Sequence, residues 1–187
     1  MLPATPSQTV GPFFHDALAY EGGDHVVRAD DPDAICIEGR VLDGAGDPVP
    51  DALLETWQAN RAGRYAHSED SRREPPLEAG FSGFGRVATD DEGRFALVTV
   101  KPGAVPGPGG AMQAPHIDVS VFARGLLQRL VTRIYFPDEP DANAADPVLG
   151  SIRDARERAT LIAREQSGTL HFDIRLQGPG QTAFFSI

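Results

Sequence analysis

The stretch Ala114–Gly125, which reads APHIDVSVFARG, alternates between apolar and polar side chains. A period of two is typical of a β-strand with one buried face, and it directs Ile117, Val119 and Val121 toward a core. The opposite face carries His116, Asp118, Ser120, Phe122 and Arg124. An imidazole and a carboxylate two residues apart on one strand face are half of a metal site, or the remainder of one.

Strand-like runs recur along the chain, separated by Gly, Pro and Asp turn signals. They are Ile35–Asp43, Ala52–Gln58, Gly93–Val100, His116–Arg124, Arg129–Phe136, Ala159–Arg164 and Thr169–Leu176, with 182–187 as a candidate last strand. The short link at 125–128 predicts a hairpin, and Ser151–Arg158 is the one predicted helix, capped by Ser151. The segments 59–83 and 102–115 are predicted loops. We therefore predict an all-β fold, a single-domain β-sandwich of about eight short strands with long loops.

The first part of the chain has a different character. Residues 1–34 contain many Pro, Gly and Asp residues, and Thr5–Phe14 is not expected to be helical because Pro and Gly interrupt it. We predict an extended N-terminal arm at 1–34 that lies along a domain or subunit surface. The β-sandwich domain is predicted at 35–187.

Composition excludes several classes of protein. A net charge of −10 argues against the basic surface of a nucleic-acid-binding protein. The sequence has no run of about 18 apolar residues that would predict a membrane helix, and Met1–Pro6 does not resemble a signal peptide. The single Cys36 excludes an internal disulfide, is expected as a small core residue, and fits the reducing cytoplasm.

Few residues are candidates for chemistry. None of the five histidines forms an H-x-x-x-H pair, and one cysteine cannot build a thiolate zinc site. Structural roles are expected for His15, His25 and His171. Tyr65, His116 and Asp118 are donors that suit a trivalent ion such as iron, but three scattered residues leave both a metal site and a structural role open.

Several blocks of sequence, in one order and spacing, carry a family resemblance. They are Trp57–His67, Phe84–Arg86, Val100–Gly103, Pro115–Asp118, Phe122–Gly125 and Thr132–Phe136. They resemble the intradiol ring-cleaving dioxygenases, and the resemblance extends from Thr5 to the C-terminus. It implies a β-sandwich with non-haem ferric iron bound by two tyrosines and two histidines. The arm Thr5–Phe13 and the ending Phe172–Gly178 are similar to one branch of the family, in which homologous α and β subunits pair.

The resemblance also implies that the iron ligands are incomplete in this chain. Tyr65 matches the first ligand tyrosine, and His116 matches the first histidine. Val105 stands at the position of the second tyrosine, which the family places in a G-P-Y-P loop. Asp118 stands at the position of the second histidine, and Gln113 at the position of an arginine in the same run. We call Tyr65, Val105, His116 and Asp118 the vestigial site. This chain is expected to bind no metal, and the Fe(III) cofactor is expected in a homologous iron-binding β subunit.

By the same resemblance, this chain contributes to catalysis elsewhere. Arg124 is the candidate catalytic residue, and Thr9, Gly11 and Pro12 match positions that line a substrate pocket between α and β. On a straight strand Arg124 lies roughly 26 Å from His116, so the two do not easily serve one site. The implied activity is O2-dependent cleavage of a small aromatic substrate, between two adjacent ring hydroxyls, by αβ units in a higher oligomer.

Two alternatives stay open from the residues. One is an independent dioxygenase with a changed metal set of Tyr65, His116 and Asp118. The other is a non-enzymatic β-sandwich that binds or scaffolds another molecule. Expression of the chain with and without an iron-binding homologue distinguishes all three hypotheses.

Overall fold

The alternating runs form strands stacked in two layers, in a computed structural model that describes residues 13–186. The described strands are β1 (Ala34–Leu42), β2 (Leu53–Gln58), β3 (Phe84–Ala88), β4 (Arg94–Val100), β5 (Val105–Pro106), β6 (Met112–Gln113), β7 (His116–Phe122), β8 (Leu130–Tyr135), β9 (Arg164–Gln166), β10 (Thr169–His171) and β11 (Ile174–Arg175). The described α-helices are α1 (Phe13–Leu18), α2 (Pro140–Ala145), α3 (Pro147–Ser151) and α4 (Ala155–Ala159).

One layer is an antiparallel sheet in the order β3-β2-β7-β8, so that β7 lies in its interior. The β7–β8 hairpin sets His116 opposite Tyr135 and Asp118 opposite Arg133. On the other side of β7, Trp57 lies opposite Asp118. The predicted hairpin is confirmed, and its register gathers polar and aromatic side chains at one end of β7.

The second layer is built around β1, which pairs antiparallel with β4 and parallel with β10 and β11. Apolar side chains from both layers meet in one core that includes Ile37, Val41, Leu54, Phe95, Ile117, Val119, Val121, Ile134, Phe172 and Ile174. Burying one such side chain fully contributes about 1.5–3 kcal/mol. The three core residues of β7 therefore fix which face of that strand is left for other roles. The predicted all-β sandwich is confirmed.

The helical prediction at Ser151–Arg158 is wrong. The chain forms two short helices there, and the residues between them, 152–154, are not helical. Asp154 has extended backbone and accepts a hydrogen bond from the Arg156 amide at 2.7 Å, so it caps the second helix rather than lying inside one. The predicted strand Ala159–Arg164 is also wrong, because α4 continues to Ala159 and β9 begins only at Arg164. Between them the chain turns and makes an isolated bridge from Ile162 to Tyr135 of β8.

Other boundaries differ from the prediction as well. The strand β3 was missed, and β5 and β6 lie inside the segment 102–115 that was predicted as loop. The predicted strand Thr169–Leu176 is two strands, and Phe185 of the candidate last strand forms an isolated bridge to Val131. Cys36 is half-buried rather than a core residue. Short strands of two or three residues are too brief to show alternation, which is why the sequence pattern does not reveal them.

The helix α1 corrects part of the expectation for the arm. Its first residue, Phe13, directly follows Pro12 in the sequence, and proline favours the start of a helix while interrupting its interior. The expectation for residues 5–12 lies outside the described residues. Among residues 13–186, none of the helices has the length and hydropathy needed to cross a bilayer.

Candidate functional site

Tyr65 of the vestigial site lies in the long loop that follows β2. Its ring stacks on Trp57, with centroids 6.2 Å apart and planes within 4° of parallel. Because Trp57 pairs with Asp118 across the sheet, the stack brings the phenol toward that carboxylate. Burial, followed by the negative charge of Asp118, raises the pKa of Tyr65 to about 12, so the phenol is neutral at physiological pH.

The loop that carries Tyr65 is held by a buried carboxylate. Asp70, whose side chain is 8% exposed, accepts a hydrogen bond from the Tyr65 amide at 3.0 Å. Arg72 binds the same carboxylate through Nε at 2.8 Å and Nη2 at 2.6 Å, and it also donates to the Gly63 carbonyl. These Arg72 hydrogen bonds hold the pKa of Asp70 far below its usual range. A residue in a long loop is thereby kept in one position.

His116 is 3% exposed and packs its ring against Tyr135, with centroids 5.6 Å apart. Its Nδ1 lies 2.7 Å from the Ala114 carbonyl, which can only accept, so Nδ1 carries the hydrogen. Burial, and next the positive charge of Arg133, lower the pKa of His116. The neutral ring leaves a lone pair on Nε2, a buried atom that has no hydrogen-bond partner among residues 13–186 and lies 3.9 Å from Asp118 Oδ2.

Arg133 reaches across the end of β7 from the neighbouring strand. Its Nε donates to Asp118 Oδ1 at 2.7 Å, and its Nη1 donates to Gln113 Oε1 at 2.6 Å. Nη1 also lies 3.3 Å from the hydroxyl of Tyr135, which in turn donates to Asp146 at 3.3 Å. One guanidinium thus binds both Gln113 and Asp118, two positions at which this chain differs from the family's ligand motif.

Val105 completes the vestigial site from the β5–β6 hairpin. It is buried and lies opposite Gln113, the residue whose side chain accepts from Arg133. Its neighbour Pro106 lines a cleft of about 420 Å³ together with Trp57 and Tyr65. Val105 thus lies beside Gln113, and its neighbour Pro106 reaches the cleft that Tyr65 lines. The assignment of these residues as former ligand positions stays a prediction.

These residues do not fit a ferric ion. A valine has no donor atom, and a guanidinium already neutralises the Asp118 carboxylate. Within residues 13–186, no group of three or more His, Cys, Asp and Glu side chains lies close enough to hold a metal ion. Iron chemistry in this family therefore cannot be assigned to these side chains as they are arranged.

Arg124 lies beyond the other end of β7 and has different surroundings. Its Nε donates to Asp51 Oδ2 at 2.6 Å. The Asp51 side chain is 11% exposed, whereas that of Arg124 is 65% exposed. A nearly buried carboxylate thus holds one edge of a guanidinium that presents most of its surface to the outside.

The helix α1 lies beside this ion pair. The Phe14 ring packs edge-on against Phe122, with centroids 5.7 Å apart. His15 Nε2 donates to the Thr89 carbonyl at 2.9 Å, and Thr89 Oγ1 bonds both ends of the turn that contains Asp51. The candidate residues Thr9, Gly11 and Pro12 lie outside the described residues.

Several residues of these two clusters were missed in the sequence. Asp51 was hidden in a turn rich in Pro and Asp, where an aspartate usually indicates only the turn itself. Arg133 could have been found, because the predicted hairpin of β7 and β8 implies a cross-strand partner for Asp118. No sequence signal indicated His15 as the residue that attaches α1 to the sheet.

Comparisons with known proteins find relatives that match nearly the whole chain. A family model described as Dioxygenase matches residues 10–178. The chain is 45% identical over 201 residues to the protocatechuate 3,4-dioxygenase alpha chain of Pseudomonas putida, covering 99% of this chain and 97% of that one. It is 39% identical over 191 residues to the beta chain of the Burkholderia cepacia enzyme, covering 96% and 78% respectively.

A solved structure is also similar. The dioxygenase domain of a dioxygenase–carbohydrate-binding fusion protein from Streptomyces sp. SirexAA-E matches with a TM-score of 0.59 at 28% identity, covering 83% of this chain and 88% of that one.

Proposed function

Because the chain belongs to the intradiol ring-cleaving dioxygenases, a family of enzymes, we propose that it is the α subunit of a protocatechuate 3,4-dioxygenase. The likeness to an alpha chain over almost the full length of both proteins supports this choice within the family. In the proposal the chain binds no iron itself, and a homologous β subunit holds the Fe(III).

One observation carries the proposal. Arg133 donates to both Gln113 and Asp118, while Val105 stands where the family resemblance implies a ligand tyrosine. A chain that retains the fold of a metalloenzyme family, but has a guanidinium bound to a former ligand position, needs its catalytic metal from elsewhere. This makes an independent dioxygenase with Tyr65, His116 and Asp118 as ligands the weaker candidate.

The proposed substrate is protocatechuate, a catechol with a ring carboxylate. The bond between the two hydroxyl-bearing carbons breaks, both atoms of O2 enter the product, and 3-carboxy-cis,cis-muconate forms with release of two protons. Ferric iron in the β subunit would supply the activation of the catechol toward O2. This reaction would belong to the β-ketoadipate pathway of aromatic catabolism.

In the proposal, this chain contributes to catalysis electrostatically, through Arg124. Its exposed guanidinium is suited to attract and hold the ring carboxylate in a pocket shared with the β subunit. Phe14 and His15 pack beside the Asp51–Arg124 pair, and residues 9–12 are only a few positions earlier in the chain. This proximity supports Thr9, Gly11 and Pro12 as lining residues of the same pocket.

The proposed assembly consists of αβ units in a higher oligomer located in the cytoplasm. Residues 1–34 form the interface arm in this proposal, and 35–187 form the sandwich domain. The net charge of −10 argues against nucleic acid as a further partner.

The test is expression of the chain alone and together with its cognate β subunit. Alone, the purified chain is expected to be colourless, iron-free and inactive toward protocatechuate. Together, the two are expected to co-purify as a coloured iron complex that consumes one O2 per protocatechuate.

Other outcomes would overturn the proposal. Iron-dependent activity of the isolated chain would support the independent dioxygenase. Failure to associate with the β subunit, with full activity of that subunit alone, would support a non-enzymatic role for this chain.

A further inference from the structure

We infer that the guanidinium of Arg133 is a built-in cation of the vestigial site, which excludes metal ions from the donors that the site still has. This goes beyond the proposed function, since it concerns the chain's own residues whether or not a β subunit is present.

Arg133 neutralises the charge of the vestigial site. Asp118 is the anionic member of the vestigial site, and Arg133 Nε lies 2.7 Å from its Oδ1. The same guanidinium donates to the side-chain oxygen of Gln113, which is largely buried. Arg133 thereby satisfies both a carboxylate and an amide oxygen that would otherwise be available to a metal ion.

Other donor atoms remain beside the guanidinium. His116 Nε2 is buried, carries a lone pair and has no hydrogen-bond partner in the described residues. It lies 3.9 Å from Asp118 Oδ2, the carboxylate oxygen that Arg133 Nε does not contact. The Tyr65 ring stacks on Trp57, the cross-strand partner of Asp118, and the charges of Asp118 and Arg133 both act on its phenol. An imidazole, a carboxylate and a phenol thus remain near one another, with a fixed positive charge among them.

A network of buried hydrogen bonds keeps the guanidinium in place. Nη1 lies 3.3 Å from the Tyr135 hydroxyl, and that hydroxyl bonds to the buried carboxylate of Asp146. Asp146 in turn accepts the amides of Val148 and Leu149 and caps α3. Arg133 is therefore attached to a rigid network and is not a mobile surface side chain that a metal ion could displace easily.

The chemical consequence is specific. A divalent ion placed among these donors would be repelled by Arg133, since like charges in a partly buried site interact strongly. Removal of the guanidinium ends this repulsion and frees Asp118 beside the unpartnered Nε2 of His116, and imidazole with carboxylate is a donor pair that Zn²⁺ accepts. Replacement of Arg133 should convert the vestigial site into a metal-binding site.

The experiment measures Zn²⁺ binding by the full-length chain with isothermal titration calorimetry. Arg133→Ala is expected to bind one Zn²⁺ per chain at least tenfold more tightly than the unaltered chain. Arg133→Lys, which keeps the positive charge, is the matched control and is expected to behave like the unaltered chain. The gain should vanish in the double variant Arg133→Ala with His116→Ala, which separates this site from other histidines.

A second pair of variants covers the case in which Arg133→Ala does not fold because Asp118 loses its partner. Asp118→His combined with Arg133→Gln removes both charges and offers two imidazoles, so it leaves no unpaired carboxylate. This double variant is expected to bind Zn²⁺ at least tenfold more tightly than Asp118→His alone, in which the guanidinium remains.

The inference is overturned if neither altered chain gains Zn²⁺ affinity, or if Asp118→His alone binds as tightly as the double variant. It is equally overturned if the unaltered chain binds Zn²⁺ in a manner that His116→Ala abolishes. Failure of the α-subunit proposal would appear separately, as a loss of association or activity with the β subunit.

Discussion

The carboxylate of Asp51 and the guanidinium of Arg124 form an ion pair of 2.6 Å in which the acid is nearly buried and the base is mostly exposed. The buried partner is fixed by the turn before β2, so it can hold the exposed partner in one orientation. This asymmetry distinguishes Arg124 from an ordinary surface arginine, and it leads to the first two predictions.

Replacement of Arg124 by Ala in the co-expressed complex is expected to lower kcat/KM for protocatechuate roughly tenfold to a hundredfold. A hydrogen bond to a charged group contributes about 1.5–3 kcal/mol, and 1.4 kcal/mol corresponds to about a factor of ten. Steady-state O2 uptake measures the effect. Catechol without a carboxylate is the matched control substrate, and its kinetics should change little; an equal loss for both substrates would contradict a role in holding the carboxylate.

Replacement of Asp51 by Asn is expected to give a smaller loss with the same substrate dependence. The pair is partly exposed, so its contribution to positioning is about 0.5–1.5 kcal/mol, which corresponds to a roughly twofold to tenfold fall in kcat/KM. Arg164→Ala, which removes an exposed ion pair at another surface, is the control. A loss larger than that of Arg124→Ala would indicate that Asp51 acts in some other way.

The loop that carries Tyr65 is expected to lose stability in acid. The folded-state pKa of Asp70 is held below its unfolded value of about 3.9 by Arg72. The stabilisation is therefore fully present above about pH 4 and is lost as the pH falls toward the folded-state pKa. Asp70→Asn should lower the free energy of unfolding by about 1–3 kcal/mol near neutral pH, and by progressively less below pH 4.

Chemical denaturation between pH 2 and pH 7 measures this difference between Asp70→Asn and the unaltered chain. Asp173→Asn, whose carboxylate is more exposed and pairs with an exposed arginine, is the control. A difference that stays constant across the pH range would contradict the assignment to Asp70.

The attachment of α1 is expected to matter for subunit association. Phe14 packs edge-on against Phe122, and such aromatic pairs contribute about 0.5–1.5 kcal/mol beyond buried area. Phe14→Ala should weaken association with the β subunit about twofold to tenfold while the isolated chain still folds. Sedimentation velocity at several concentrations measures association, and Leu77→Ala, an exposed position in the 59–83 loop, is the control. Unchanged association would contradict the proposed interface role of the arm.

The sequence predicted the sheets better than the connections between them. The alternation of Ile117, Val119 and Val121 was sufficient to identify β7 and its buried face, since that pattern fits no other regular structure. The helices near residue 150 could not be predicted correctly, because Asp146 and Asp154 each cap a helix of five residues that is too short to show a period.

The residues of the candidate sites also differ in how far the sequence could predict them. Tyr65, His116, Asp118 and Arg124 were identified from the sequence, the first three as members of one cluster. Asp51 could not be, because its importance comes from burial beneath Arg124, and burial in a turn leaves no pattern in the sequence. The register of the β7–β8 hairpin could have predicted that Arg133 lies opposite Asp118. Only the three-dimensional structure shows that its guanidinium also binds Gln113.

The two faces of β7 have separate structural roles. Residues 117, 119 and 121 are inserted into the core and maintain the sandwich, whereas 116 and 118 alternate with them on the face that meets Arg133. Substitutions on one face therefore need not disturb the other. Because the core face is separate, substitutions at 116 and 118 can remove metal-binding chemistry from such a strand in a few steps without unfolding the sandwich.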